Sequence, residues 1–380
     1  MGKIYSALGL MSGTSMDGVD ASIIQSDGNS TYKVIFNKYF EYNKDIFKKL
    51  TNLRDKISSS KDLNKMSKEI IILEKEITLF HAQISKKMIL QSITDIDLVG
   101  FHGQTIFHNI DEKMTKQIGD GNLLSQLSKC LVVNKFRQND LDNNGQGAPL
   151  TPIFHNVITK NLNQSFNLDY PMNIINIGGI TNVSQIISDN DLEKDIFAYD
   201  IGPGNCLIDE WIRKNSNKRY DKNGEIANSG RVDELIFNQA IENFEIISIK
   251  ESLDVKNFDL SFVKGLSLEN GCATLTKFTA FLISEGLKKI DKIHDLSNQN
   301  YILCGGGRKN KALINDINKF MSRDKVILAD IDKYQINGDF VESQAFAYLA
   351  IRTFLDLPIS FPNTTRCKKP CTGGVVIKNF

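Results

Sequence analysis

Residues 9–25 read GLMSGTSMDGVDASIIQ. An apolar run from Ile4 to Met11 reaches a turn of small polar residues, Ser12-Gly13-Thr14-Ser15-Met16-Asp17-Gly18, and a second apolar run, Val19 to Ile24, leaves it. Two strands joined in this way aim several backbone N–H groups and hydroxyls at one place. Gly, Ser and Thr let a polyphosphate approach the backbone closely. Asp17, at the rim, is a hard oxygen ligand of the kind that holds the magnesium accompanying such phosphates. Asp-Gly is also an ordinary hairpin signal, so the residue types alone leave a plain turn open.

Similar alternation continues along the chain. Runs at 4–11, 19–26 and 31–40 predict an antiparallel meander, and 44–90 predicts helix, with Ile, Leu and Phe recurring at a spacing of three to four. Leu98 to Phe101 reads as a short buried strand ending at a polar turn, Leu131 to Val133 as another, and 140–147 (DLDNNGQG) as a loop. A second β section begins at Asn173 to Ile177, with 182–187 as its hairpin partner. After a helical stretch, Tyr301 to Leu303 forms a strand entering Gly305-Gly306-Gly307, and 341–355 reads as a helix. Each half thus opens with an apolar strand, a glycine turn and a second strand. The domains expected are 1–168, rejoined by the tail from about 345 to 380, and 169–344.

With 380 residues, 41% hydrophobic and 24% charged, the chain has room for two globular domains. A formal net charge of +1 gives no electrostatic reason to expect nucleic acid or an anionic membrane as partner. Six cysteines lie scattered without CxxC pairs or metal-site spacing, which favours reduced thiols over disulfides or zinc. No apolar stretch approaches the length of a spanning helix, and the N-terminus lacks a signal peptide's basic start and apolar core. A cytoplasmic protein is expected.

Further motifs resemble binding turns. NIGGITN places Gly178 and Gly179 where a second phosphate-facing turn or a plain β-turn would lie. In DIGPGN, Asp200 precedes Gly202-Pro203-Gly204 and a helix beginning near Leu207, whose N-terminus favours anions; Asp200 is a second candidate to hold or orient a metal. Gly305 and Gly306 follow a strand, as where an adenosine lies on backbone, though flexible linkage gives the same triple glycine. Asp140 precedes a glycine-rich loop, in a segment with Arg137, and suits either a general base or a turn cap.

Eight segments in order carry a resemblance: GLMSGTSMDGVDA (9–21), GFHGQTIFH (100–108), QIGDG (117–121), FRQNDLDNNGQGAPLTPIFH (136–155), NIGGITNVS (176–184), YDIGPGNCLIDEW (199–211), CGGGRKN (304–310) and ESQAFAYLA (342–350). Together they resemble the anhydro-N-acetylmuramic acid kinases, relatives of the sugar kinases in the actin, Hsp70 and hexokinase superfamily. The resemblance implies an α/β, two-domain, ribonuclease H-like fold with a central nucleotide and sugar cleft. It implies ATP and Mg2+, a homodimer, and an amino sugar as the small-molecule substrate.

By the same resemblance Asp140 is the catalytic base. ATP falls to Gly13, Thr14, Ser15, Met16, Asp17, Gly18, Val19 and Asp20, with Gly178, Gly179, Gly305 and Gly306. The sugar falls to His102, Gln104, Arg137 and Glu342, with His108 a weaker candidate, and Mg2+ to Asp17 and Asp200, directly or through water. Lys135 stands where the family has an acidic residue, Asn144 for the first of two glycines, and Arg366 for a glycine. The segment Glu251-Ser252-Leu253-Asp254-Val255-Lys256 departs from the family's Lys-Ser-Thr-Gly-Arg-Glu. Two other readings stay open on the residues: a sugar kinase of shifted amino-sugar specificity, and a non-catalytic actin-like ATP-binding protein.

Overall fold

The computed structural model describes residues 2–244, 253, 258–294, 299–321 and 328–380. Of the altered segment, only Leu253 is among them; positions 251–252 and 254–256 lie outside. The strands are β1 (Tyr5–Ser12), β2 (Gly18–Ser26), β3 (Tyr32–Glu41), β4 (Leu98–Asn109), β5 (Met114–Ile118), β6 (Leu131–Asn134), β7 (Met172–Ile177), β8 (Ile180–Ile186), β9 (Ile196–Pro203), β10 (Asn300–Cys304), β11 (Leu328–Asp330) and β12 (Val375–Ile377). The helices are α1 (Lys44–Lys56), α2 (Ser60–Lys65), α3 (Ser67–Gln91), α4 (Gly121–Ser128), α5 (Gln138–Asp142), α6 (Pro152–Phe166), α7 (Cys206–Asn215), α8 (Glu225–Ser229), α9 (Glu234–Asn243), α10 (Leu268–Ile293), α11 (Lys311–Met321), α12 (Val341–Phe354) and α13 (Pro362–Thr365). Among the described residues no helix is long and apolar enough to cross a membrane.

The chain divides into two compact units. Residues 1–161, 191–196 and 340–380 form the first; 162–190 and 197–339 form the second. The first holds a sheet ordered β12-β6-β4-β1-β2-β3, with β5 on the far part of β4; the second is ordered β11-β10-β7-β8-β9. In both, the opening pair is antiparallel (β1/β2, β7/β8) and the next strand pairs parallel to the first of them (β4 to β1, β10 to β7). The echo between the halves is therefore an echo of topology: 3-2-1-4-6 is matched by 9-8-7-10-11.

Why β1 reads as one unbroken apolar run is plain from its burial on both faces. Leu8 and Leu10 point into a core shared with Leu50 and Leu53 of α1 and with Ile70, Leu73 and Ile77 of α3. Ala7 and Gly9 face the other way, beneath α12. Gly9 and Gly100 are register partners in β1 and β4. A Cβ on Gly9 would lie 1.9 Å from the Ser343 carbonyl oxygen, and one on Gly100 would lie 2.2 Å from that of Phe346. Two glycines side by side thus let the helix backbone rest directly on the sheet.

Three expectations need correcting. The strand after Leu98 does not end at a polar turn; it runs through His102 and Gln104 to Asn109. Leu10 pairs with Phe101 but Met11 with Gly103, so His102 is the extra residue of a bulge, which re-aims its side chain. Residues 140–142 are not loop but the end of the short helix α5. And Gly202 and Pro203, expected with Gly204 as a rigid turn, complete the strand β9.

Three departures from the family, Asn144 and Arg366 at glycine positions and Lys135 at an acidic one, are legible in the backbone. Asn144 (φ 62°), Lys135 (φ 57°) and Arg366 (φ 66°) all adopt left-handed conformation. Asn accepts this readily, whereas Lys and Arg carry a cost of roughly 1 kcal/mol or more. The seat of α12 is the stricter constraint. Gly9→Ala is expected to destabilise the first unit by about 3 kcal/mol or more, as forced overpacking against backbone does, read as a lowered Tm in thermal unfolding.

Candidate functional site

The β1–β2 turn is pinned from below and open above. Met16 is left-handed (φ 57°), and its side chain is buried, anchoring the turn in the core. Its N–H donates to the Gly13 carbonyl at 3.2 Å. Thr14 and Ser15 are exposed. Beside Gly13 a Cβ would meet nothing nearer than Ser15 Oγ at 3.9 Å, so space remains there for a ligand. Gly18 differs, because a Cβ there would run into Phe40 and Tyr39; that glycine serves packing. Val19 is wholly buried in β2 and Asp20 partly so. Ser15 Oγ donates to Asp17 Oδ1 at 2.7 Å, and the Tyr42 N–H donates to the Asp17 carbonyl at 2.8 Å. The half-buried Asp17 carboxylate, two hard oxygens at the rim, fits a magnesium ion.

Gln104, expected on the sugar, is fully buried, and its Nε2 donates to the Gly13 carbonyl at 3.0 Å, tying β4 to the β1–β2 turn. Its Oε1 has no hydrogen-bond partner among the described residues.

The second cluster centres on Asp140, which is 1% exposed. Its Oδ2 accepts from the Gly147 N–H at 2.7 Å, and its Oδ1 accepts from the Thr365 hydroxyl at 2.6 Å. A Cβ on Gly145 would lie 2.1 Å from Asp140 Oδ2, so the loop can wrap the carboxylate only with glycine there. Thr365 and Gly147 were missed in the sequence; Thr365 stands 225 positions away, beyond any motif spacing.

Arg137 bridges from this cluster to β4. Its Nε donates to His102 Nε2 at 3.1 Å and its Nη1 to the Gly147 carbonyl at 2.9 Å. Since Nε2 accepts, His102 carries its proton on Nδ1 and donates it to the Gly103 carbonyl at 2.8 Å. Burial, and then the Arg137 charge, hold His102 well below the usual histidine range, so it stays neutral. Burial also lowers Arg137, and the opposing charges of Glu342 and Asp140 act to keep it protonated. The structure thus brings His102, Arg137, Glu342 and Asp140 into one electrostatic group. His108 donates to or accepts from Thr115 Oγ1 at 3.1 Å. A cavity of about 410 Å³ opens beside His102, lined by Gln117, Asp120 and Asn134 among others, but not by Asp140 or Arg137.

In the second unit the Gly178-Gly179 turn joins β7 to β8. Its carbonyls accept the N–H groups of Gly204 (2.8 Å, to Gly179), Asn205 (2.7 Å, to Gly178) and Cys206 (3.3 Å, to Gly179). The start of α7, expected to offer its amides to an anion, spends these three on the turn. A Cβ on Gly178 would meet only the Ile180 carbonyl at 3.6 Å, so its approach side is open. Asp200 accepts from the Leu253 N–H at 2.8 Å, so the segment that departs from the family touches this carboxylate.

Gly305 is left-handed (φ 78°) against Asn176 and Ile177, while a Cβ on Gly306 would meet nothing within 4 Å. The loop is held by Arg308, whose side chain is 1% exposed. It reaches Asp330 (3.2 Å), Asp332 (2.8 Å) and Asp339, and donates to the Gly305 carbonyl at 3.0 Å. Arg308 belongs to the CGGGRKN segment, and its role emerges only from the fold.

Two like sheets, each opening on a glycine turn, with a buried carboxylate braced in the first, make the arrangement of an ATP-dependent sugar kinase. Over residues 5–379 the chain matches the family described as anhydro-N-acetylmuramic acid kinase, and it belongs to that family. It is 55% identical to the anhydro-N-acetylmuramic acid kinase of Pelagibacter ubique and 36% identical to that of Agrobacterium fabrum, with 100% of each chain covered in both comparisons. Among solved structures, the activator of the 2-hydroxyisocaproyl-CoA dehydratase from Clostridium difficile with bound ADPNP aligns at a TM-score of 0.41 and 11% identity, covering 93% of this chain and 96% of that one. At that score the likeness carries no argument.

Arg308→Met is expected to destabilise the second unit by about 2–3 kcal/mol, less than a fully buried pair because its acidic partners are partly solvated. Burial raises the Asp339 carboxyl, but hydrogen bonds from Arg308 and Lys309 outweigh this and hold it below the ordinary 3.8. A depressed carboxyl stabilises above its unfolded value and loses that contribution as pH falls through the folded one. Thermal unfolding should therefore show the variant's deficit shrinking below about pH 4.

Proposed function

We propose that the chain opens the 1,6-anhydro bridge of 1,6-anhydro-N-acetylmuramic acid and phosphorylates O6 with ATP, giving N-acetylmuramic acid 6-phosphate and ADP in peptidoglycan recycling. The observation that carries this reading is the buried Asp140 carboxylate, held by Gly147 and Thr365 with lone pairs to spare. Asp140 takes a proton from water, whose oxygen bonds to the anomeric carbon while the bond from that carbon to O6 breaks. O6 then attacks the γ-phosphorus, and ADP leaves as the β–γ bridge bond breaks. The proton on Asp140 passes to solvent at the end of the cycle. Such base assistance contributes about 10²–10⁴ in rate, and the alignment of the three reactants adds to it.

The residues around these reactants divide the work, with Val19 and Asp20 continuing the nucleotide-binding turn. The turn from Gly13 to Gly18 takes the phosphates on backbone amides, with Gln104 holding its shape from beneath. Gly178, Gly179, Gly305 and Gly306 take the rest of the nucleotide. Asp17 and Asp200 would hold Mg2+, directly or through water, and the ion neutralises phosphate charge when bound. Arg137, oriented by neutral His102, receives the lactyl carboxylate on its guanidinium, and Glu342 reaches a sugar hydroxyl. A cytoplasmic homodimer completes the proposal.

Sugar-stimulated ADP release tests it. Asp140→Asn is expected to lower turnover by about 10²–10⁴ while ATP binding persists. Thr365→Val, which removes one hydrogen bond to a charged group, should cost about 10- to 100-fold in kcat, with KM little changed. Equal turnover of a 6-hydroxy amino sugar would assign a shifted specificity instead.

A further inference from the structure

CKKPC, residues 367–371, has a zinc-type spacing after all, which corrects the expectation that the cysteines are scattered without one. The fold gives two of them a shared neighbour. Cys367 and Cys371 are both buried, and their sulfurs and an Asp140 carboxylate oxygen all lie within 4.8 Å of one another. No other group of three such ligands occurs among the described residues, and the remaining four cysteines are buried elsewhere. We propose that Cys367, Cys371 and Asp140 form a binding site for a thiophilic divalent cation of the zinc type, and that filling it withdraws Asp140 from catalysis.

The donor set argues for this class of ion. Two sulfurs and one carboxylate oxygen suit Zn2+ or Cd2+ and are wrong for Mg2+, which prefers oxygen throughout. Three residues between the cysteines fall within the usual two to four separating zinc ligands. Tetrahedral zinc holds such donors about 3.5–3.8 Å apart, so modest side-chain shifts close the site and leave a fourth position for water or substrate. The backbone is already braced: the Cys371 N–H donates to Ser360 at 3.0 Å, and its carbonyl accepts from Ile359 at 2.8 Å. Thr365, still bonded to Asp140, would then orient the ligand from outside. Burial pushes the Cys367 thiol up to about 12 and raises that of Cys371 as well. Neither is therefore a ready thiolate for oxidants, whereas a bound soft cation deprotonates the sulfurs it takes.

The blockade rests on the reading of Asp140 as base; the binding does not. The full chain, without sugar, is titrated with Co2+ and the thiolate-to-cobalt absorption recorded, beside Cys367→Ala/Cys371→Ala and, as control, Cys304→Ala. Competition with Zn2+ and a chelator measures affinity. The expected result is a single equivalent bound by wild type and by the control, and loss of the band in the double variant. Cys371→Ala alone should weaken it, which covers failure of the double variant to fold. Added Zn2+ should lower sugar-dependent ADP release by about 10²-fold or more in wild type, reversibly, and leave the double variant's turnover unchanged. Absence of the band in wild type, or its persistence in the double variant, overturns the site. Binding without inhibition overturns the blockade and the role given to Asp140.

Discussion

Everything in the first unit hangs on one close contact, the bare backbone of β1 and β4 against helix α12. Gly9 and Gly100 stand side by side in the sheet, and the helix carbonyls of Ser343 and Phe346 come so near that no side chain fits between. Further ties hold the helix in register. Ser22 Oγ lies 2.6 Å from Ser343 Oγ, and Arg352 donates to the Gly28 carbonyl at 2.8 Å. With the helix so placed, the Phe346 ring centre lies 4.5 Å from that of His102, tilted to it, and 5.2 Å from that of Phe136, edge-on, and Glu342 is brought to Arg137. A C-terminal helix seated on N-terminal glycines thus assembles the group of His102, Arg137 and Glu342.

The same logic explains how buried charge is tolerated. Asp140 is removed from water but keeps an N–H and a hydroxyl in its place. Arg137 is lowered by burial and surrounded by acceptors and opposite charge. Groups so satisfied are preorganised, because no solvent has to rearrange when a proton moves. In the second unit Arg308 does comparable service for the Gly305 loop, at the junction of three carboxylates.

What the sequence made legible was local. The β1–β2 hairpin and its turn, the β7–β8 pair, the strand into Gly305 and the helix from Val341 all followed from periodicity and glycine placement. Asp140 stood out through its neighbours. What escaped depends on long-range pairing. β9 was hidden because Gly202 and Pro203 read as a turn, and the bond from Gln104 to the Gly13 carbonyl because it spans 91 positions. Thr365 and the CKKPC sulfurs meet Asp140 only after the tail folds back across more than half the chain. The family departures were visible as residues, but only backbone angles show that Lys135, which replaces an acidic residue, is left-handed as Arg366 is.

The central claim is that Asp140 activates water for ring opening coupled to phosphorylation. The most direct test runs the reaction with 1,6-anhydro-N-acetylmuramic acid and ATP in water labelled with heavy oxygen, and locates the label by mass spectrometry. The account predicts one labelled oxygen at the anomeric position of the 6-phosphorylated sugar, with none in its phosphate. Label in the phosphate, with the anhydro ring intact, would contradict it, because water would then attack ATP and not the sugar.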